Sequence, residues 1–181
     1  MSRIPYASLD DFPPEIRERF SDNTANVTRM IANASPSVFA GFGMFAEGLL
    51  RHSPLPPALR ELAILRVGFL SNCEYEVFQH QTFARHVGLS DREIAAITSN
   101  EQHGDTLSEV QRNVLRFVDD LVANVRPSDE TLTAVRALLD DTQVTDLTLT
   151  VGFYMMVARF IEMSGVEIDE KPIDWSGYPS A

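Results

Sequence analysis

Apolar positions in this chain run in long stretches between prolines and glycines, without β-branched runs, a pattern that favours helices over strands. The breakers fall at Pro13-Pro14, Pro36, Pro54, Pro56-Pro57, Gly88, Gly104, Pro127, Gly165 and the tail "KPIDWSGYPSA". The stretch "LPPALRELAILRVGFL" is apolar almost all round, as expected of a helix buried on every side. Local chemistry marks several ends. Pro36 follows Ser35 at a first helical position, Ser90 is an N-cap with Glu93 as its capping-box partner, and Ser128 stands in the same relation to Thr131. Gly88 reads as a C-terminal cap after "FARHV". The pattern predicts an all-α fold of eight helices, near 14–33, 36–51, 56–71, 73–87, 90–99, 107–125, 128–140 and 143–164. A faint echo links "FAEGLL" and its two following helices, ending "FARHVG", with "FVDDLV" and its two, ending "ARFIEMSG". It reads as an internal duplication of a helical unit, although ordinary amphipathic periodicity produces such likeness too.

With 181 residues, 44% of them hydrophobic, the chain is expected to form one domain over 1–181 with a single core. A net charge of −11 argues against nucleic acid and against anionic membrane surfaces, because both are bound through excess Lys and Arg. One cysteine cannot form an internal disulfide, the N-terminus has no signal-type apolar core, and no uninterrupted apolar run approaches membrane-spanning length. A cytoplasmic protein is expected.

The densest chemistry lies in "CEYEVFQH", residues 73–80. On a helical wheel with Cys73 at zero, His80 falls at about −20° and Glu76 at about −60°, among Val77, Phe83 and Ala84. Cys73, Glu76 and His80 therefore share the apolar face, while Tyr75, Gln79 and His86 fall on the far side. A carboxylate on a buried face must find a partner or become neutral. Two consecutive helices joined by "SN" should form an antiparallel pair, which brings Glu61 of the preceding helix near Glu76 and His80. Glu61 with His80 is the expected charge pair. A helix-stabilising pair or a satisfied core histidine would show the same spacing.

The stretch "RELAILRVGFLSNCEYEVFQHQTFARHVGLSDREIAAI", residues 60–97, resembles the carboxymuconolactone decarboxylase and alkylhydroperoxidase (AhpD-like) superfamily. The shared pattern is a glutamate, eleven residues, a cysteine, two residues, a second cysteine, three residues and a histidine. Glu61, Cys73 and His80 occupy those positions; Glu76 stands where the second cysteine would be. "EYEVFQH" is similar to the carboxymuconolactone decarboxylase-like branch, with a core motif over 56–97, and "GFYMMVARF" extends the likeness more loosely. The resemblance implies an AhpD-like helical fold, assembly into trimers or hexamers, and an active site framed by the Glu helix and the Cys/His helix.

Three functions follow as expectations. The first is acid/base lyase or isomerase chemistry on a small unsaturated or lactone organic acid. His80 would be the acid/base, Glu61 would tune it and Glu76 would be a second proton donor; Cys73 completes the candidate catalytic set. Tyr75 is a candidate for steering a substrate oxygen, and Arg66, Arg85 or Arg159 for holding a substrate carboxylate. The second is a thiol peroxidase using Cys73 with an external thiol, since Glu76 cannot act as a resolving cysteine. The third is a non-catalytic oligomeric module that binds a small apolar molecule beside "FAGFGMF". No HExxH or His-pair spacing is present, so no metal is expected, and no cofactor is expected either. His52, His86 and His103 are expected at the surface. The helix "EVQRNVLRFVDDLV" and the tail around Trp175 are candidate subunit contacts.

Overall fold

A computed structural model of the protein describes residues 1–8, 17, 24–100 and 104–180. Among them are eight α-helices and no strand: α1 (Asn26–Ile31), α2 (Pro36–Glu47), α3 (Pro57–Leu70), α4 (Glu74–His86), α5 (Asp91–Ile97), α6 (Glu109–Asn124), α7 (Asp129–Arg136) and α8 (Asp141–Ser164). A π-helical turn, Gly48–His52, continues α2. The caps expected at Pro36, Ser90 and Ser128 are present, and Gly88 takes the left-handed conformation just past α4. Most of the helix predicted over 14–33 lies outside the described residues. Arg17 is helical, but Ala25 is extended, so α1 is a separate short helix.

The hydrophobic pattern explains the layout. Residues Leu59 to Gly68 of α3 are all buried, and α3 is the central helix against which α4, α8 and α6 pack. At its end Asn72, with φ 51°, reverses the chain and starts α4 antiparallel to α3. Gly68 permits a close approach there: a Cβ would lie 3.2 Å from Val77 Cγ2 and 3.4 Å from the Cβ and Cγ of Glu76. Its missing side chain lets α4 seat Glu76 against α3.

By length and composition α8 could cross a membrane. In the fold its Leu147, Val151, Tyr154, Ala158 and Ile161 are buried at spacings of three and four, the stripe of a core helix. After Gly165 the chain turns back, and residues 166–178 lie as a strap along α4. The echo keeps its order, since α2–α3–α4 and α6–α7–α8 each end on a left-handed glycine, Gly88 and Gly165. The lengths do not correspond: α3 and α4 have 14 and 13 residues, α7 and α8 have 8 and 24.

Candidate active site

The antiparallel pairing of α3 and α4 carries Glu61 to His80. Glu61 Oε2 lies 2.7 Å from His80 Nδ1, and its other oxygen accepts from Arg60 Nε at 3.1 Å. All three side chains are buried, Glu61 completely. The Arg60 guanidinium also lies over the Phe83 ring, 5.2 Å from its centre. The imidazole is enclosed by rings: Tyr154 meets it edge-on at 4.9 Å and Trp175 lies at 5.5 Å. With Nδ1 engaged by the carboxylate, Nε2 is the ring nitrogen left for chemistry.

His80 faces a cavity of about 110 Å³. One wall is polar and comes from α4: Tyr75, Glu76, Gln79 and His80. Apart from Thr28 on α1, the remainder is apolar or aromatic, supplied by α1, α2, α8 and the strap, with Phe42, Phe153, Tyr154, Ile173 and Trp175 as its larger members. Glu76 is 2% exposed, and neither of its side-chain oxygens has a hydrogen-bond partner.

A family model described as the carboxymuconolactone decarboxylase family matches residues 36–106, from the start of α2 through α5. That segment contains Glu61, Cys73, Glu76 and His80 in the architecture of the AhpD-like structures below. This segment of the chain matches the carboxymuconolactone decarboxylase family, and the fold is that of the AhpD-like structures. Two solved structures are similar over nearly the whole length. An uncharacterized peroxidase-related protein with an alkylhydroperoxidase AhpD core, from Ralstonia eutropha JMP134, is 21% identical with a TM-score of 0.81, covering 93% of each chain. An uncharacterized peroxidase-related protein from Silicibacter sp. TM1040 is 19% identical with a TM-score of 0.80, covering 93% of this chain and 91% of its own. The debrominase Bmp8 is more distant, 14% identical with a TM-score of 0.68 over 81% of this chain and 78% of its own. At these identities the likeness is one of fold. No curated protein matches the sequence.

In this chain a buried glutamate, Glu76, stands three residues after Cys73 and four before His80. Burial raises the Glu76 carboxyl well above its ordinary value of 4.5. Below the ordinary carboxyl range folded and unfolded chains are both protonated here. As pH rises the unfolded chain releases the proton first, so stability falls by about 1.4 kcal/mol per pH unit until the folded-state value is reached. Urea midpoints for wild type and Glu76→Gln, measured from about pH 4.5 to 8, should therefore diverge as pH rises, with the variant gaining. A constant gap would show that Glu76 ionises in the fold.

Cys73 is buried, as its place on the apolar face predicts, but it does not line the His80 cavity. Helix α4 begins at Glu74, and Cys73 is its N-cap with φ −94° and ψ 89°, off the helical bearing that the wheel assumes. It is fully buried beneath a separate groove formed with Asn72, Val77 and Phe78. Burial, above all, pushes its thiol up to about 12, and the Glu162 carboxylate adds to the rise. A change from 9.0 to about 12 lowers the thiolate fraction about a thousandfold at neutral pH. Native protein should accordingly resist alkylation by iodoacetamide at pH 7.5 and react at once in urea. Fast native labelling would contradict the placement.

The arginines expected to hold a substrate carboxylate have other partners. Arg66 makes two bonds to Asp119, at 2.6 and 3.0 Å, and caps the carbonyls of Ile97 and Ser99. Arg85 pairs with Asp91 at 2.7 Å on the surface, and Arg159 bonds back to the Met155 carbonyl of α8. None of the three lines the cavity. Their sites lie where charge could find local carboxylates and carbonyls, which spacing does not disclose.

Tyr75 and Gln79, expected on a far side, are buried because the strap covers that side. The Tyr75 hydroxyl donates to Asp169 Oδ2 at 2.5 Å and accepts from the Val27 amide; burial and that carboxylate raise its pKa. Gln79 pins the strap. Its Nε2 donates to Asp169 at 2.6 Å, its Oε1 accepts from the Ile173 amide at 2.8 Å, and its carbonyl accepts from the Trp175 indole at 3.2 Å. Trp175 stacks on Phe83 at 4.4 Å, so this part of the tail packs within its own chain. His52 is exposed, whereas His86 is half-buried and bonds the Tyr178 carbonyl; His103 lies outside the described residues. Among the described residues no three His, Cys, Asp or Glu side chains gather as a metal-ligand set. Asp169 and Trp175 are not identifiable as site residues from sequence, because their positions depend on where a distant tail returns; Gln79 gains its role from that tail and Tyr154 from the packing of α8.

Proposed function

We propose that the protein is an acid/base enzyme of the lyase or isomerase kind, moving a proton to or from carbon in a small organic compound. What carries the reading is the buried Glu61–His80 pair opening on the same cavity as the unpartnered carboxyl of Glu76. With Nδ1–H donated to Glu61, His80 Nε2 takes the proton leaving substrate carbon, and Glu61 stabilises the imidazolium that forms. Charge left on the substrate spreads to an adjacent oxygen, where a neutral Glu76 carboxyl can donate a hydrogen bond. Return of the proton from His80 to another carbon completes an isomerisation. If CO₂ leaves instead, its electron pair stays on carbon and is quenched by a proton from His80, which entered the cycle protonated at Nε2 from solvent.

The names of the similar structures, two peroxidase-related and one a debrominase, span different reactions, so the fold does not select one. A thiol peroxidase would need a reachable thiolate, and the buried Cys73 thiol argues against it. A non-catalytic binding module would keep its ligand when Glu61 or His80 is replaced. Self-association into trimers or hexamers belongs to the proposal, supported by Val38 and Met44 on α2, which are 60% and 76% exposed in the single chain. A cytoplasmic location and a small-molecule substrate complete it.

The test is proton exchange in D₂O. Small cyclic ketones, lactones and unsaturated acids are incubated with the protein, and deuterium uptake at carbon, rearrangement and CO₂ loss are followed by NMR. Exchange that requires His80 is expected. Consumption of hydroperoxide with a dithiol, abolished by Cys73→Ser, in the absence of any such exchange would replace this reading with the peroxidase.

A further inference from the structure

We propose that the cavity takes an uncharged, largely apolar molecule about one ring in size, whose one oxygen accepts a hydrogen bond from the Glu76 carboxyl. The inference rests on the acid/base reading of the same cavity and names its substrate class.

Size comes first. A cavity of roughly 150 Å³ accommodates benzene, and the one here, which is half enclosed, measures about 110 Å³. One small ring, or a chain of similar bulk, fills it.

Charge comes next. Among the described residues no Lys or Arg lines the cavity. The nearby cation, Arg60, bonds Glu61 through Nε while its buried Nη2 has no partner, and it stands outside the lining. Two carboxylates stand one side chain behind the polar wall, Glu61 behind His80 and Asp169 behind Tyr75 and Gln79. An anionic substrate would lose its hydration and meet these two carboxylates with no counter-charge among the described lining residues, at a cost of several kcal/mol. The approach is also disfavoured, since the chain carries 26 acidic and 15 basic residues. The organic acid expected from sequence therefore does not suit the walls.

Polarity supplies the last element. Both Glu76 oxygens lack a partner inside the fold. A neutral carboxyl has one donor and spare acceptor capacity. A ligand carbonyl within reach would satisfy that donor, and a hydrocarbon would leave it unsatisfied. The same carbonyl would direct the acidic carbon toward the wall that holds His80.

Trp175 is the only tryptophan of the chain and lines the cavity, so its fluorescence reports occupancy directly. Full-length protein at about pH 7.5 is titrated with cyclohexanone, cyclohexene and cyclohexanecarboxylate. Cyclohexanone should bind about tenfold more tightly than either other probe, the ratio expected for one good buried hydrogen bond. Glu76→Leu should erase the advantage over cyclohexene, while Glu76→Gln, which still donates, should keep it. Equal or tighter binding of the carboxylate overturns the inference. So does a ketone no better than cyclohexene, or the absence of any fluorescence change up to the solubility of the probes. Binding is read without turnover, so the two proposals fail separately. A ketone preference without proton exchange would sink the acid/base reading alone, and exchange on carboxylates with no ketone preference would sink this one alone.

Discussion

Replacing His80 with glutamine is expected to slow proton exchange by about 10²- to 10⁴-fold, the usual contribution of a positioned general acid/base. Glutamine can still donate to Glu61, so the loss should come from chemistry rather than unfolding. The expected signature is a fall in kcat with KM little changed, because Nε2 engages the substrate mainly as the proton moves. Glutamine cannot accept that proton at its nitrogen. Circular dichroism and urea unfolding of the variant should match wild type closely. Retained exchange in a folded His80→Gln protein would remove the acid/base assignment. The buried Glu61–His80 pair would then be read as core packing.

Glu61→Ala is expected to cost about 3–5 kcal/mol of stability, because it leaves the Arg60 guanidinium, 2% exposed, without the carboxylate it bonds. Against a typical total of about 5–15 kcal/mol, that is a large fraction. For a chain of this size the melting temperature should fall by roughly 6–20 °C. The double variant Arg60→Met/Glu61→Gln separates the causes. It removes the buried cation and keeps an acceptor for His80 Nδ1, so it should recover most of the loss. A Glu61→Ala protein within about 1 kcal/mol of wild type would mean that water or movement of Arg60 relieves the charge.

The Arg60–Glu61–His80 arrangement was partly legible in the sequence. An acidic residue on an otherwise apolar helix, a short joint and an inward histidine on the next helix were enough to pair Glu61 with His80. Arg60 was not recognised as Glu61's second partner, since adjacent residues on a helix point in different directions and their bond depends on side-chain bending. Glu76 was legible as a residue needing a partner or a neutral state. That it has neither oxygen bonded depends on which apolar groups close around it, and Gly68, Phe153 and Val157 come from three positions of two other helices. The burial of Cys73 is legible, but its separation from the His80 cavity is not, because one residue separates a helix from its cap and that shift turns the thiol aside.

Sequence by itself determined the helical class, the helix ends where Ser, Pro and Gly act on their own neighbours, and the Glu61–His80 pair. Those features depend on contacts within a turn or between consecutive helices, where chain connectivity leaves few alternatives. Tertiary structure alone decided the cavity: its size, its lack of a lining cation among the described residues, and the cover supplied by Ile173 and Trp175. It also decided that both sides of α4 are buried, through a tail that returns from more than ninety residues away to bond Gln79 and Tyr75. Such contacts arise from packing between segments distant in the chain, and no local pattern of apolar and polar residues encodes them.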